Sequence, residues 1–285
     1  MATQTLSRRD FGKATLGALS AFTPHSLALL SASKAPSSVF GGVQIGLMTY
    51  SFRDRPLDKA LENIVDIGFS SVELYCRHLD PLKATDDEIM SCKEKFASAG
   101  VRIASYYVEM GDDPGDAQID RCFEAARLLG VNILSSSLTK PLVPRMDKAC
   151  AKHRTYLGLH NHWFNPPDSK QFQNPEDFLE ALKNSSPWLS ITLDVGHFHA
   201  AGQDPVEFIA THPDRIVSVH LKDRGDDPRH IDHPFGEGDT PNIAVVQLLK
   251  KIHYKHAANV EWEVENADPY KGVKDGLAYF RKALA

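Results

Sequence analysis

The sequence predicts a single-domain α/β protein built as a (β/α)8 TIM barrel, on three observations. Apolar runs of strand length alternate with amphipathic stretches of helical length, eight times over, at intervals of roughly thirty residues. The strand runs are nearly continuous in apolar residues, as expected of parallel strands covered on both faces. No G-x-G-x-x-G or P-loop pattern follows the first run, which removes the usual dinucleotide-binding alternative.

The units read in order over a barrel assigned to residues 40–285. Strand-like "VQIGLMTYSF" precedes helical "PLDKALENIVDIG", where Leu57, Leu61, Ile64 and Val65 keep i, i+3, i+4 spacing and Gly68 closes the helix. "SSVELYC" leads to "TDDEIMSCKEKFASAG", opened by Thr85 and closed by Gly100. "VRIASYYV" leads to "DAQIDRCFEAARLLG", closed by Gly130. The fourth unit is "VNILSSSL" with "LVPRMDKACAKHR", and the fifth is "TYLGLHNHW" with "NPEDFLEALKNSS". The sixth joins "LSITLDVGHF" to "DPVEFIATHPDR", the seventh "IVSVHLKDR" to "TPNIAVVQLLKKIHYKHA", and the eighth "ANVEWEVEN" to "DPYKGVKDGLAYFRKALA". One long connection, "GDDPRHIDHPFGEGDTP" after strand seven, falls on the face where a barrel carries its active site.

Residues 1–35 differ in kind. Paired Arg8 and Arg9, then Phe11 and Lys13, a short apolar stretch, and small residues at Ala28, Ala32 and Ala35 resemble a twin-arginine export signal. The expectation is a periplasmic or otherwise exported protein, with no stable membrane span after the signal is removed. Cys76, Cys92, Cys122 and Cys150 show no C-x-x-C pair and are expected to be core thiols. With 42% hydrophobic and 24% charged residues, a net charge of −5 and a pI near 6.2, the chain suits a globular fold. It lacks the basic footprint of a nucleic-acid binder. A small neutral or modestly charged substrate is expected, and homo-oligomerisation is left open.

The chemistry-bearing residues collect at the ends of the last four strands: His160 and His162, Asp194 with His197, His220 and Lys222, Glu261 and Glu263. Residues two apart on a strand share a face and lie about 6.6 Å apart along it, so each pair offers a deep and a rim position. The deep set, His160, Asp194, His220 and Glu261, gives two imidazoles and two carboxylates for one divalent metal ion. That mixed set suits Mn, Fe, Co or Zn over Ca or Mg. The rim members His162, Lys222 and Glu263 are expected to face the substrate or support the ligands.

"LHNH", "LDVGH", "VHLKD", "FGEGDTP" and "VEWE", in this order, resemble the xylose isomerase-like sugar phosphate isomerase/epimerase family, which also includes the endonuclease IV type of AP endonuclease. The resemblance extends from residue 43 to the end of the chain and includes "VELYCRHLDP" after strand two. It implies one metal ligand from each of strands five to eight, mapping onto His160, Asp194, His220 and Glu261, and substrate contacts at His197 and Lys222. Where epimerases of the family carry Glu on strand five, this chain carries His160, and the "HNH" pattern resembles a branch in which some members act on 3-keto-glycosides.

The implied reaction is isomerisation or epimerisation of a carbohydrate by carbonyl polarisation and proton removal through an enediolate. Glu261 or His197 would take the proton, and Lys222 would steady negative charge. Glu73 and His78 are further acid/base or substrate-contact candidates, with His162 and Glu263. The alternatives are a metal-dependent lyase or hydrolase on 3-keto-glycosides, a non-catalytic sugar-binding barrel, and an endonuclease IV-type phosphodiesterase, which needs more histidine ligands and a basic groove.

Overall fold

The computed structural model describes residues 37–285 except 165, 166, 169, 227, 228 and 230, and residues 1–35, expected to be an export signal, lie outside the described residues. Eight parallel strands form the barrel: β1 Val43–Met48, β2 Ser71–Tyr75, β3 Arg102–Tyr107, β4 Ile133–Ser136, β5 Tyr156–His160, β6 Leu189–Asp194, β7 Ile216–Leu221 and β8 Ala257–Val260. Each pairs with the next, and β1 pairs with β8 over Gln44↔Ala257 to Leu47↔Val260, which closes the cylinder. A two-residue strand, Val39–Phe40, precedes β1 and pairs with it antiparallel. So short a strand leaves no periodicity in the sequence.

Helices α1 Leu57–Ile67, α2 Asp86–Ser98, α3 Asp116–Leu129, α4 Val143–His153, α5 Pro175–Leu182, α6 Val195–Ala200, α7 Pro205–Thr211, α8 Asn242–Lys251 and α9 Pro269–Ala283 follow the strands. Their ends obey local chemistry. Thr85 and Glu88 form a reciprocal capping box at the start of α2. Gly68 ends α1 at φ 104°, a backbone that residues with a Cβ rarely adopt. Ile45, Leu47, Leu74, Leu159, Ile191 and Val219 are fully buried in one continuous apolar core. No helix of the described residues is long and apolar enough to cross a membrane. All four cysteines are free and buried.

Three expected boundaries shift. The first strand stops at Met48 and Thr49–Phe52 is a 3-10 turn. The sixth stops at Asp194 instead of running to Phe198, because the Asp194 side chain accepts from His197 N at 2.7 Å and turns the chain into α6. The eighth leaves the ladder soon after Val260, although Glu261 N still donates to Leu221 O at 2.9 Å. Each boundary sits at the mouth, where the chain gives up sheet pairing to place a polar side chain.

Candidate metal centre

Four strand ends aim at one point. His160 ends β5, Asp194 ends β6, His220 is the penultimate residue of β7 and Glu261 follows β8 directly. In register Asp194 pairs with His220, whereas His160 pairs with Thr192 and His220 with Asn259, each two residues before the next candidate ligand. One ligand atom from each of the four lies within 4.8 Å of all the others, and all four residues are buried. His160 Nε2 stands 3.0 Å from His220 Nδ1 and 3.8 Å from Asp194 Oδ2, and His220 Nδ1 stands 3.0 Å from Glu261 Oε2. Asn161, between the two histidines of "HNH", points sideways. It accepts from Asp194 N at 2.9 Å and donates to Asp194 O at 3.0 Å, stitching β5 to β6.

Asp194 Oδ2 and Glu261 Oε2 are buried without a hydrogen bond, which is costly for carboxylate oxygens. Lys222 Nζ lies 3.2 and 3.3 Å from them, close enough for charge but off the hydrogen-bond axis. Two orphaned oxygens beside two imidazole nitrogens fit a divalent cation of the borderline, nitrogen- and oxygen-accepting kind.

The charges of these buried groups act on one another. Burial lifts the Asp194 carboxyl to about 6, against the pull of Lys222. For His220, burial disfavours the charged ring, but Glu73 and Glu261 outweigh it and lift the imidazole to about 10. Burial raises Glu261 too, yet Lys222 and His220 hold it well below the ordinary carboxylate range.

The remaining candidates take distinct places. Glu73, fully buried on β2, accepts from His220 Nε2 and, through its other oxygen, from Ser135 Oγ at 2.7 Å. It thus sits behind a candidate ligand, where a carboxylate would fix the ring of a metal-binding histidine. Lys222 is 2% exposed and ion-pairs with Glu263 as well as Asp194 and Glu261. Gly196 permits that approach, since a Cβ there would stand 2.9 Å from Lys222 Cβ. His162 joins the cluster with its ring 4.7 Å from that of His160. His78 is engaged elsewhere: Nδ1 meets Thr49 Oγ1 at 3.0 Å and Nε2 the carbonyls of Phe52 and Arg55 at 3.2 Å.

His197 Nδ1 accepts from Trp163 N at 3.2 Å and from the Arg224 guanidinium at 2.5 Å. An imidazole accepting at Nδ1 carries its proton at Nε2, so Nε2 faces Lys222, at 3.3 Å, as an N–H. Arg224 was not among the sequence candidates, nor were Ser137 and Tyr107, which lie behind the two strand-five histidines. Ser137 falls one residue past β4, an end as informative as the four that carry the candidate ligands, but serine-rich "LSSSL" gives no pattern that marks one hydroxyl over another.

Comparison with known proteins agrees with the fold. The family model described as Xylose isomerase-like TIM barrel matches residues 61–283. SgbU of Escherichia coli strain K12, by name a candidate L-ribulose-5-phosphate 3-epimerase, is 34% identical over 88 residues, which are 29% of this chain and 31% of SgbU. The matches thus span about a third of the length of the curated relatives, 31% and 32%. Among solved structures, AsbF of Bacillus anthracis, described as the probable 3-DHS dehydratase of petrobactin synthesis, superposes with a TM-score of 0.70 at 19% identity over 84% of this chain and 98% of AsbF. The IOLI protein with a bound zinc atom gives 0.65 at 16% identity over 84% and 95%. These two likenesses show the shared fold.

Proposed function

The chain belongs to the xylose isomerase-like TIM barrel family, and on that premise we propose that it is a divalent-metal-dependent sugar isomerase or epimerase that removes a proton beside a carbonyl and passes through an enediolate. The observation that carries this reading is the convergence of His160, Asp194, His220 and Glu261 ligand atoms within 4.8 Å at the barrel mouth. A divalent ion such as Mn, Zn, Co or Fe held by these four would supply Lewis-acid polarisation of the substrate carbonyl. The epimerase name of the matched stretch of SgbU and the zinc of the IOLI protein support a small carbohydrate substrate and a bound divalent ion.

The chain's own residues divide the remaining work. Glu261 is held ionised by Lys222 and His220, and the carboxylate oxygen that does not hold the ion is the proton acceptor. His197 presents an N–H and is thereby a donor to substrate oxygen rather than a base. Lys222, locked by three carboxylates, sets positive charge beside the place where negative charge develops. Glu263 keeps that ammonium oriented.

One observation favours a second reading. At the strand-five position His160 has one nitrogen on Ser137 and the other facing the ligand cluster, so no carboxylate there can return a proton to the opposite face of the substrate carbon. Elimination from a 3-keto-glycoside needs one base, which Glu261 provides, and the leaving group is the substrate's own aglycone, whose C–O bond breaks as the enediolate collapses. Incubation of metal-loaded protein with ketoses and 3-keto-glycosides in D2O separates the two. Deuterium beside the carbonyl without released aglycone supports isomerisation or epimerisation, and aglycone release supports the lyase. Absence of both, with no metal stoichiometry in the purified protein, overturns the proposal. Export by the twin-arginine route, carried by Arg8 and Arg9, is proposed alongside.

A further inference from the structure

The Ser137 hydroxyl stands at a junction of three side chains. Tyr107 Oη lies 2.6 Å from Ser137 Oγ, His162 Nε2 2.7 Å and His160 Nδ1 3.2 Å. A serine hydroxyl has one proton to give and two lone pairs to receive, so three contacts exhaust it. Which contact takes the proton follows from the partners.

Tyr107 is buried, and its phenol meets no other hydrogen-bond partner among the described residues. Burial keeps that phenol protonated. An O–H left unmade there would cost about 1–3 kcal/mol, so Tyr107 donates to Ser137. His160 turns Nε2 toward His220 Nδ1 and Asp194 Oδ2. On the metal reading given above, Nε2 must offer a lone pair, which places the His160 proton on Nδ1 and makes it the second donor to Ser137. Both lone pairs of Oγ are then taken, and the serine proton goes to His162 Nε2.

We infer that Ser137 is a positioning residue that sets the tautomers of both strand-five histidines: His160 with its lone pair toward the ligand cluster, and His162 with an N–H at Nδ1. His162 Nε2 bonds to Ser137 alone, and Nδ1 meets no hydrogen-bond acceptor among the described residues. His162 therefore brings a donor to the mouth, suited to a carbonyl or hydroxyl oxygen of the substrate and unsuited to removing its proton. The paired histidines of "HNH" thus have opposite polarity although they share one strand face.

The test is a long-range ¹H–¹⁵N correlation spectrum of the ¹⁵N-labelled, zinc-loaded chain at neutral pH, with zinc affinity measured in parallel by competition. The expected result is a proton on Nδ1 of both His160 and His162. In Ser137→Ala the His162 proton should move to Nε2 and the zinc Kd should rise about 10–100-fold, as for loss of other groups that orient a metal ligand. Ser137→Thr, which keeps the hydroxyl, should restore both. A proton on His162 Nε2 in the zinc-loaded wild type would overturn the inference without any variant, as would a Ser137→Ala protein with unchanged tautomers and zinc affinity. A wild-type chain that takes up no zinc, manganese, cobalt or iron would instead defeat the metal reading, so the two failures are told apart.

Discussion

Glu73 Oε2 accepts a hydrogen bond from His220 Nε2, joining the second strand to the seventh across the barrel interior. Both side chains are fully buried. This bond fixes the His220 proton on Nε2 when the ring is neutral and so leaves Nδ1 to face Glu261 and His160. Glu73→Gln keeps the shape and loses the charge, and is expected to weaken metal binding about 10–100-fold with the fold intact. Equilibrium competition with a chromogenic chelator measures it, and unchanged affinity would remove Glu73 from the site.

Metal binding should release protons. In the metal-free protein His220, lifted to about 10, is charged at pH 7.5, and its Nδ1 proton must leave before that atom can bind a cation. Calorimetric titration with zinc in buffers of different ionisation enthalpy is expected to report about one proton released per ion. Enthalpies that do not vary with the buffer would contradict this account of His220.

The same groups give a signed pH dependence. His220 has a folded pKa above its unfolded value, so its contribution to the metal-free fold is complete below about 6.5 and is lost as pH rises through about 10. Asp194 is the reverse: its carboxyl is raised to about 6, so its ionisation destabilises the metal-free fold above that pH and is relieved in acid. A bound cation needs Asp194 ionised. The rise in Tm on adding metal should therefore be large at pH 7.5 and shrink as pH falls below about 6, which thermal melts across that range would show.

Lys222→Met removes a buried cation from three carboxylates, Asp194, Glu261 and Glu263. Without metal the variant should lose about 3–5 kcal/mol of stability, the scale for an uncompensated buried charge. Added divalent metal should recover much of that loss, since the ion neutralises the same carboxylates, while turnover stays low. Denaturant melts with and without metal measure the difference, and equal destabilisation in both states would refute the charge argument.

Replacing Arg8 and Arg9 together by Lys should trap unprocessed precursor in cells. Fractionation and immunoblotting read the outcome, and unaltered export would show that the paired arginines do not direct it.

The sequence by itself determined the barrel, because eight alternations of strand-length apolar runs with helical periodicity admit few other closed arrangements. It also placed His160, Asp194, His220 and Glu261 at strand ends that any such barrel must gather on one face, and the four do meet there. Strand boundaries were less legible where polar side chains interrupt the ladder. Asp194 reads as the middle of "LSITLDVGHF", and only its bond to His197 N turns the chain there. Tertiary structure alone decided what each polar group does. Glu73 reads as a carboxylate in need of a partner, but that the partner is His220 depends on strands separated by 147 residues meeting inside one cylinder. Ser137 and Arg224 carried no sequence signal, because the hydrogen bonds that give them roles run between strands and loops distant in sequence. Periodicity fixes which way a side chain faces, whereas proton placement depends on every neighbour within reach, and those neighbours exist only once the barrel has closed.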